Sequence, residues 1–182
     1  MPEFKAWPKI PRLFRDMVIT EKIDGTNACV IVEDGKVFAQ SRKRLITPAD
    51  DNYGFAAWAD AYADELVNAL GEGYHYGEWW GSGINRGYGL KNGEKRFSLF
   101  NVNHYKDTDF SVLPNVGLVP VLRQHTFDTD VIANTVWNLK ENGSQAAPGY
   151  MNPEGVVVFH SAANQVFKVT IENDSEPKGL AA

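Results

Sequence analysis

The sequence predicts an α+β domain with mostly antiparallel sheets and flanking helices. Strand-like runs, rich in β-branched and aromatic residues and separated by turn residues, outnumber helical ones. Only two stretches carry helical periodicity, and they fall irregularly among the strands instead of alternating with them, which disfavours a doubly wound parallel fold.

Strands are expected at 17–21, 27–33 and 36–41. The last two bracket Glu33-Asp34-Gly35-Lys36, where Asp-Gly supplies the positive φ of a tight reversal. A second Asp-Gly lies inside Glu21–Asn27 (EKIDGTN), between apolar runs, and a β-turn is the plain reading there too. Phe55, Ala59, Tyr62, Leu66 and Leu70 then recur at helical spacing, with Gly71 as a stop. Strands follow at 74–80 and 96–103. A second helix begins near Thr129, aligns Ile132, Val136 and Leu139, and ends at Asn142-Gly143; the final strands are 155–160 and 165–171. The stretch Gly81–Gly87 (GSGINRG) superficially resembles a dinucleotide-binding loop, but its third glycine is one place late and no helical pattern follows. No internal repeat is visible. Residues 1–172 are expected to form one domain, and the small polar residues from Asn173 a loose tail.

The chain has 182 residues, 43% hydrophobic and 12% aromatic, enough for a substantial core. No apolar run approaches the roughly 18 residues needed to span a bilayer, and MPEFKAWPK lacks a signal peptide's apolar core, so a cytoplasmic protein with no membrane partner is expected. The single cysteine, Cys29, fits a reducing compartment, and no Cys/His spacing resembles a zinc site. The net charge of −5 argues against a general nucleic-acid-coating protein but leaves room for a local basic groove. Arg42-Lys43-Arg44 and Lys91 to Arg96 are the candidates, as strand contacts or as ordinary solvated loops.

Lys22-Ile23-Asp24-Gly25 alone would arise by chance on the order of a few per cent of the time in a chain of this length. Yet EKIDGTN resembles the first motif of the covalent nucleotidyltransferases, the superfamily of DNA ligases, RNA ligases and mRNA capping enzymes, in which the lysine takes up a nucleoside monophosphate. Further segments resemble the remaining motifs in order. Arg42, in Ala39-Gln40-Ser41-Arg42, matches an arginine near the phosphates. Glu78, in Tyr76-Gly77-Glu78-Trp79-Trp80-Gly81, matches a carboxylate that addresses the ribose or metal waters. Phe100, in Arg96–Val102, matches an aromatic that stacks on the purine, although Asn101 replaces the usual Asp. Glu154, before Gly155-Val156-Val157-Val158, matches a glutamate at the metal. Lys168 matches one of two alternate lysines that grip the α-phosphate, while Thr170 stands where the second would be.

The resemblance covers most of the chain and is closest to the RNA ligase 2 type. It implies a nucleotidyltransferase domain of the DNA ligase and mRNA capping enzyme type, without an appended OB domain, ending about where relatives often continue into a C-terminal domain. It implies Lys22, Lys168 and Arg42 as catalytic, Glu21, Ile23, Asn27, Arg42, Glu78, Phe100 and Lys168 as nucleotide-binding, and Glu154 as metal-binding. It also implies ATP as substrate, Mg²⁺ or Mn²⁺ as cofactor, and RNA or an RNA-containing duplex with 5′-phosphate and 3′-OH ends as partner, with a separate subunit conceivable as the source of the C-terminal function.

The residue types suit that chemistry. A free lysine has a pKa of about 10.4, so roughly 0.1% is neutral near pH 7.4, and nearby cations are needed to raise the nucleophilic fraction. On an extended strand Phe167 and Val169 would face away from Lys168 and anchor it, with Thr170 sharing the lysine's face as a neutral hydrogen-bond donor. Phe97 and Phe100 face opposite ways and could both be packed; Trp79 and Trp80 are core residues or base-stacking ones. His75, His104, His125 and His160 show no catalytic or metal spacing. A GTP-using capping-type enzyme, and a nucleotide- or RNA-binding protein that has lost turnover, stay open beside the ATP-dependent ligase.

Overall fold

Alternate residues of a strand point to opposite faces, so strand register decides which side chains can meet. The computed structural model describes residues 1–174; most of the predicted tail, 175–182, lies outside them. The elements are β1 (Asp16–Lys22), β2 (Thr26–Glu33), β3 (Lys36–Ser41), β4 (Leu45–Ile46), α1 (Phe55–Ala61), α2 (Ala63–Leu70), β5 (Gly73–Gly81), β6 (Lys95–Leu99), α3 (Val102–Tyr105), β7 (Val116–Leu118), β8 (Val121–Thr126), α4 (Thr129–Asn142), β9 (Gly155–His160) and β10 (Gln165–Thr170). They build a four-stranded sheet, β10-β9-β1-β8, and a six-stranded sheet, β4-β3-β2-β5-β6-β7. Every strand pairing but β6 with β7 is antiparallel.

The α+β class agrees with the sequence reading, and the departures have local causes. The expected single helix is broken at Tyr62 (φ −112°, ψ 26°), where Asp64 and Glu65 supply the first-turn negative charge that favours a fresh N-terminus. The strand expected over 96–103 stops at Leu99, because Asn101 turns its side chain to accept from the His104 N–H and caps α3. Asn101 is therefore a cap, a use for the position that the motif comparison could not supply. β7 and β8 were not legible: one is three residues long, and the other is a mostly exposed edge strand without apolar alternation.

α1 and α2 cover one face of the six-stranded sheet, burying Ala28, Val30 and Val32 of β2 against Phe55, Ala59 and Leu66. α4, capped by Asp128, covers the four-stranded sheet over Met17, Ile19, Val156 and Val158. A third cluster joins the sheets: Ile23, Trp80, Tyr88, Val119 and Ala147. Trp79 and Trp80 are both buried, the first among the α1 aromatics and the second in this junction, so neither is a base-stacking surface.

Candidate active site

EKIDGTN is not a hairpin. β1 and β2 belong to different sheets, and residues 23–25 are the crossover between them. Asp34 and Gly35 both take positive φ, 51° and 68°, as a tight hairpin requires, whereas neither Asp24 nor Gly25 does. Gly25 is needed for a different reason: a Cβ there would lie 2.3 Å from the Trp79 carbonyl oxygen and 2.7 Å from Trp80 Cβ. The crossover is pressed against β5 and held from three sides. Ile23 is buried in the junction; the Asp24 N–H donates to the Tyr88 hydroxyl (2.9 Å); Asn85 Nδ2 donates to Asp24 Oδ1 (3.1 Å) and to the Gly25 carbonyl (2.7 Å). Arg86 adds an ion pair to Asp24 Oδ2 at 3.3 Å.

Lys22 and Glu21, adjacent on β1, face opposite ways. Glu21 is 1% exposed, and its carboxylate accepts from Ser144 Oγ (2.6 Å) and the Gln145 and Ala146 N–H groups (2.8 and 2.9 Å). That carboxylate is committed to the 144–146 loop, so any nucleotide contact by Glu21 falls to its main chain. Lys22 Nζ donates to Glu154 Oε2 at 2.6 Å in a largely buried ion pair. Lys22 lies opposite Gly155 on β9, and Gly155 lies opposite Thr170 on β10. Gly155 brings no side chain to the row from Lys22 to Thr170, and a Cβ there would overlap the Val169 carbonyl and Thr170 Cα of β10.

Lys168 lies one row further on, opposite Val157, and shares the face of Lys22 and Thr170. Its side chain is exposed. The expected anchoring is only half realised: Val169 packs into the core, but Phe167 is 55% exposed, because β10 is the edge strand and α4 contacts β8 and β9. The Thr170 hydroxyl donates to the Glu172 carbonyl (2.8 Å), and its N–H donates to Asp174 Oδ1 (2.9 Å). The neutral donor expected for a phosphate is thus already used, with a carboxylate beside it.

From the six-stranded sheet, Glu78 and its cross-strand partner Asn27 close the other side. Glu78 Oε1 accepts from the Gly25 N–H (3.0 Å) and Oε2 from Asn27 Nδ2 (3.1 Å). Burial pushes the Glu78 carboxyl up to about 7; the Gly25 hydrogen bond and the Lys22 charge oppose the rise, and Glu154 and Asp24 add to it. Phe100 is 42% exposed beside Tyr76, whose carbonyl accepts the Phe100 N–H, while Phe97 is fully buried. Arg42 is exposed, one residue beyond the Ser41–Ala28 pair and so at the Asn27 end of the sheet. Of the basic segments, Arg44 forms a two-point pair with Asp50, and Arg96 pairs with Glu94 and lies over Trp80, which leaves Arg42, Lys43, Lys91 and Lys95 the more available charges.

Glu154 and Glu78, both buried beside Lys22, offer hard oxygen donors, but the described residues hold no cluster of three or more metal-ligating side chains. Such a donor set fits a cation whose coordination is completed by water and phosphate, as Mg²⁺ prefers, and not a protein-enclosed cage. A cavity of about 570 Å³ lies behind the four-stranded sheet between β8, α4 and residues 143–149, on the face away from Lys22.

Residues 15–170 match the RNA ligase family. The chain belongs to the RNA ligase family. Solved structures of a Naegleria gruberi RNA ligase share its fold. A variant with ATP and Mn matches with a TM-score of 0.62 at 18% identity, over 94% of this chain and 58% of that one. Variants with AMP and Mn, and without ligand, match at TM-scores of 0.61 and 0.59 with 16% and 17% identity, each over 93% of this chain and 57% of the other. This RNA ligase family member therefore spans somewhat over half the length of those ligases. No curated protein matches it.

Asn85, Arg86, Tyr88 and Ser144 are the site residues that the sequence reading missed. The loop set aside as a false dinucleotide motif does lack a following helix beyond one 3₁₀ turn, Gly87–Gly89, but it delivers Asn85, Arg86 and Tyr88 to Asp24. A polar Asn-Arg pair inside a glycine-rich loop was the available signal. Nothing near Ser144 marks it in the sequence.

Proposed function

We propose that the chain is the adenylyltransferase domain of an ATP-dependent RNA ligase, residues 1–172 acting as one unit. The Lys22 amine, once neutral, attacks the α-phosphorus of ATP; the N–P bond forms as the bond to pyrophosphate breaks, leaving AMP on Lys22. AMP then passes to an RNA 5′-phosphate, and a 3′-OH displaces it to seal the strand. The observation that carries this reading is the Lys22–Glu154 pair at 2.6 Å, at the end of β1 beside a crossover clamped by Asn85, Arg86 and Tyr88 and faced by Glu78. The family and the ATP- and Mn-bound Naegleria ligases support it.

Each residue has a part. The clamp holds Lys22 so that little orientation is lost on attack. Glu154 fixes the ammonium and must release it, and with Glu78 it would hold a divalent cation. That cation, when bound, supplies positive charge to the phosphates. Asn27 and Glu78 address the ribose, Phe100 stacks on the purine, and Ile23 and the Glu21 main chain border the base. Arg42 and Lys168, exposed on the two sheets, reach the phosphates, and Arg42 with Lys43 meets the RNA backbone. Buried Cys29 suits a reducing cytoplasm, and among the described residues no helix is long and apolar enough to cross a membrane.

Intact-protein mass after incubation with ATP and Mg²⁺, with GTP as competitor, tests the reading. An AMP-sized gain that Lys22→Ala abolishes is expected. A second reading, nucleotide binding without turnover, is favoured by the Thr170 hydroxyl being engaged beside Asp174. No mass gain in folded protein that still binds ATP would select it, and a GMP-sized gain would select a capping-type enzyme.

A further inference from the structure

The helix-free face of the six-stranded sheet continues well past the candidate nucleotide site. Register arranges it in rows. Asn27, Glu78 and Ser98 form the row at the site; Gln40, Cys29 and Tyr76 form the next, extended by Phe100; Phe38, Ile31 and Tyr74 form the third. Cys29 and Ile31 are buried, but the rings around them are not: Phe38 is 47% exposed, Tyr74 59% and Tyr76 52%. The Tyr74 and Tyr76 rings are nearly parallel, 19° apart in plane with centroids 6.3 Å apart. Solubility alone would put polar side chains at these positions, as the exposed face of a half-buried sheet normally has.

The charge around this face has a direction. Arg42 and Lys43 lie at the end next to Glu78 and Asn27. At the far end Glu72 accepts from the Asp34 and Gly35 N–H groups, and Glu33 lies opposite Lys36, an acidic margin overall. A polyanion is therefore favoured at the site end and discouraged beyond the third row.

We propose that this aromatic face binds unpaired nucleotides of an RNA strand, bases stacking on Tyr74, Tyr76 and Phe38, and so leads the strand end into the cleft at Lys22. The proposal rests on reading the chain as an RNA-joining enzyme and adds where the strand lies. Aromatic side chains on an open sheet face stack bases of any sequence. The face is continuous, row by row, with the nucleotide site, which a separate protein-docking patch need not be. Its half-exposed rings offer on the order of 400 Å², short of the roughly 800 Å² per partner of a stable protein interface.

The test compares wild type with a Phe38→Ala/Tyr74→Ala double variant, both positions outside the proposed ATP contacts. Fluorescence anisotropy measures binding of a short 5′-phosphorylated single-stranded RNA and of the same backbone with abasic sites; intact mass measures AMP uptake; melting checks the fold. The expected result is RNA affinity lower by about tenfold or more in the variant, a loss at least as large for the abasic strand on wild type, because Tyr76 stacking goes too, and AMP uptake matching wild type. Tyr74→Trp should retain binding. Equal RNA affinity in wild type and variant, or abasic and intact strands binding alike, overturns the proposal. So does a sedimentation profile showing a dimer that the variant dissociates, which would make the face an interface between copies. Absent AMP uptake in wild type would sink the catalytic reading while leaving the RNA measurement to decide this one.

Discussion

Replacing Glu78 by Gln should make the protein more stable at pH 8 and leave it unchanged near pH 4. Glu78 is 8% exposed, and its carboxyl is pushed up from 4.5 to about 7, chiefly by burial. A folded-state pKa above the unfolded one means that the native protein binds the proton more tightly. Stability from this group is therefore fully present below about pH 4.5 and is lost as pH rises through about 7. At 1.36 kcal/mol per pH unit the loss comes to about 3 kcal/mol above pH 7. A Gln side chain keeps an acceptor for the Gly25 N–H, can donate to Asn27 once that amide turns its oxygen inward, and carries no charge to desolvate, so Glu78→Gln removes the loss. Urea denaturation of both proteins at steps between pH 4.5 and 8.5 measures it, since carboxyls remote from Glu78 are common to the two and cancel, leaving Glu78 and its coupled neighbours Glu154 and Asp24. A stability difference between the proteins that does not grow with pH across this range would refute the reasoning. Because Glu78 faces Lys22 beside Glu154, AMP uptake should fall in the same variant.

Gly25→Ala should cost about 3 kcal/mol, because the new Cβ overlaps backbone and Cβ atoms of β5 that cannot move aside, while Gly35→Ala should cost only about 1 kcal/mol for its left-handed φ in open space; paired denaturation curves decide this. Ser144→Ala strips a donor from a buried carboxylate and should lower stability by about 2 kcal/mol, whereas a loss within 0.5 kcal/mol would mean that the two main-chain donors suffice for Glu21. Thr170→Lys puts a cation in the row that Lys22 and Gly155 share and should raise the rate of AMP uptake about tenfold; an unchanged or lower rate in folded protein would count against a phosphate position there.

Local chemistry explains what was legible in the chain. β-Branched and aromatic runs between turn residues marked β1, β2, β3, β5, β9 and β10 nearly to the residue, and the stop at Asn142-Gly143 marked the end of α4 for equally local reasons. Lys22, Glu78 and Glu154 were picked out by their resemblance to the nucleotidyltransferase motifs, not by local chemistry, and the fold then brings the three together. Sequence alone could not separate two Asp-Gly stretches, one a positive-φ hairpin and the other a crossover pressed on a neighbouring strand, because the distinction lies in what β5 places 2.3 Å from Gly25. Nor could it say that Glu21 serves a loop over 120 positions away while Lys22 meets Glu154, or that the Thr170 hydroxyl is engaged. Those assignments depend on which sheet each strand joins and on its register, where a slip of one residue reverses every side chain. Composition and periodicity determine that strands form; only the folded chain decides which faces they turn to one another.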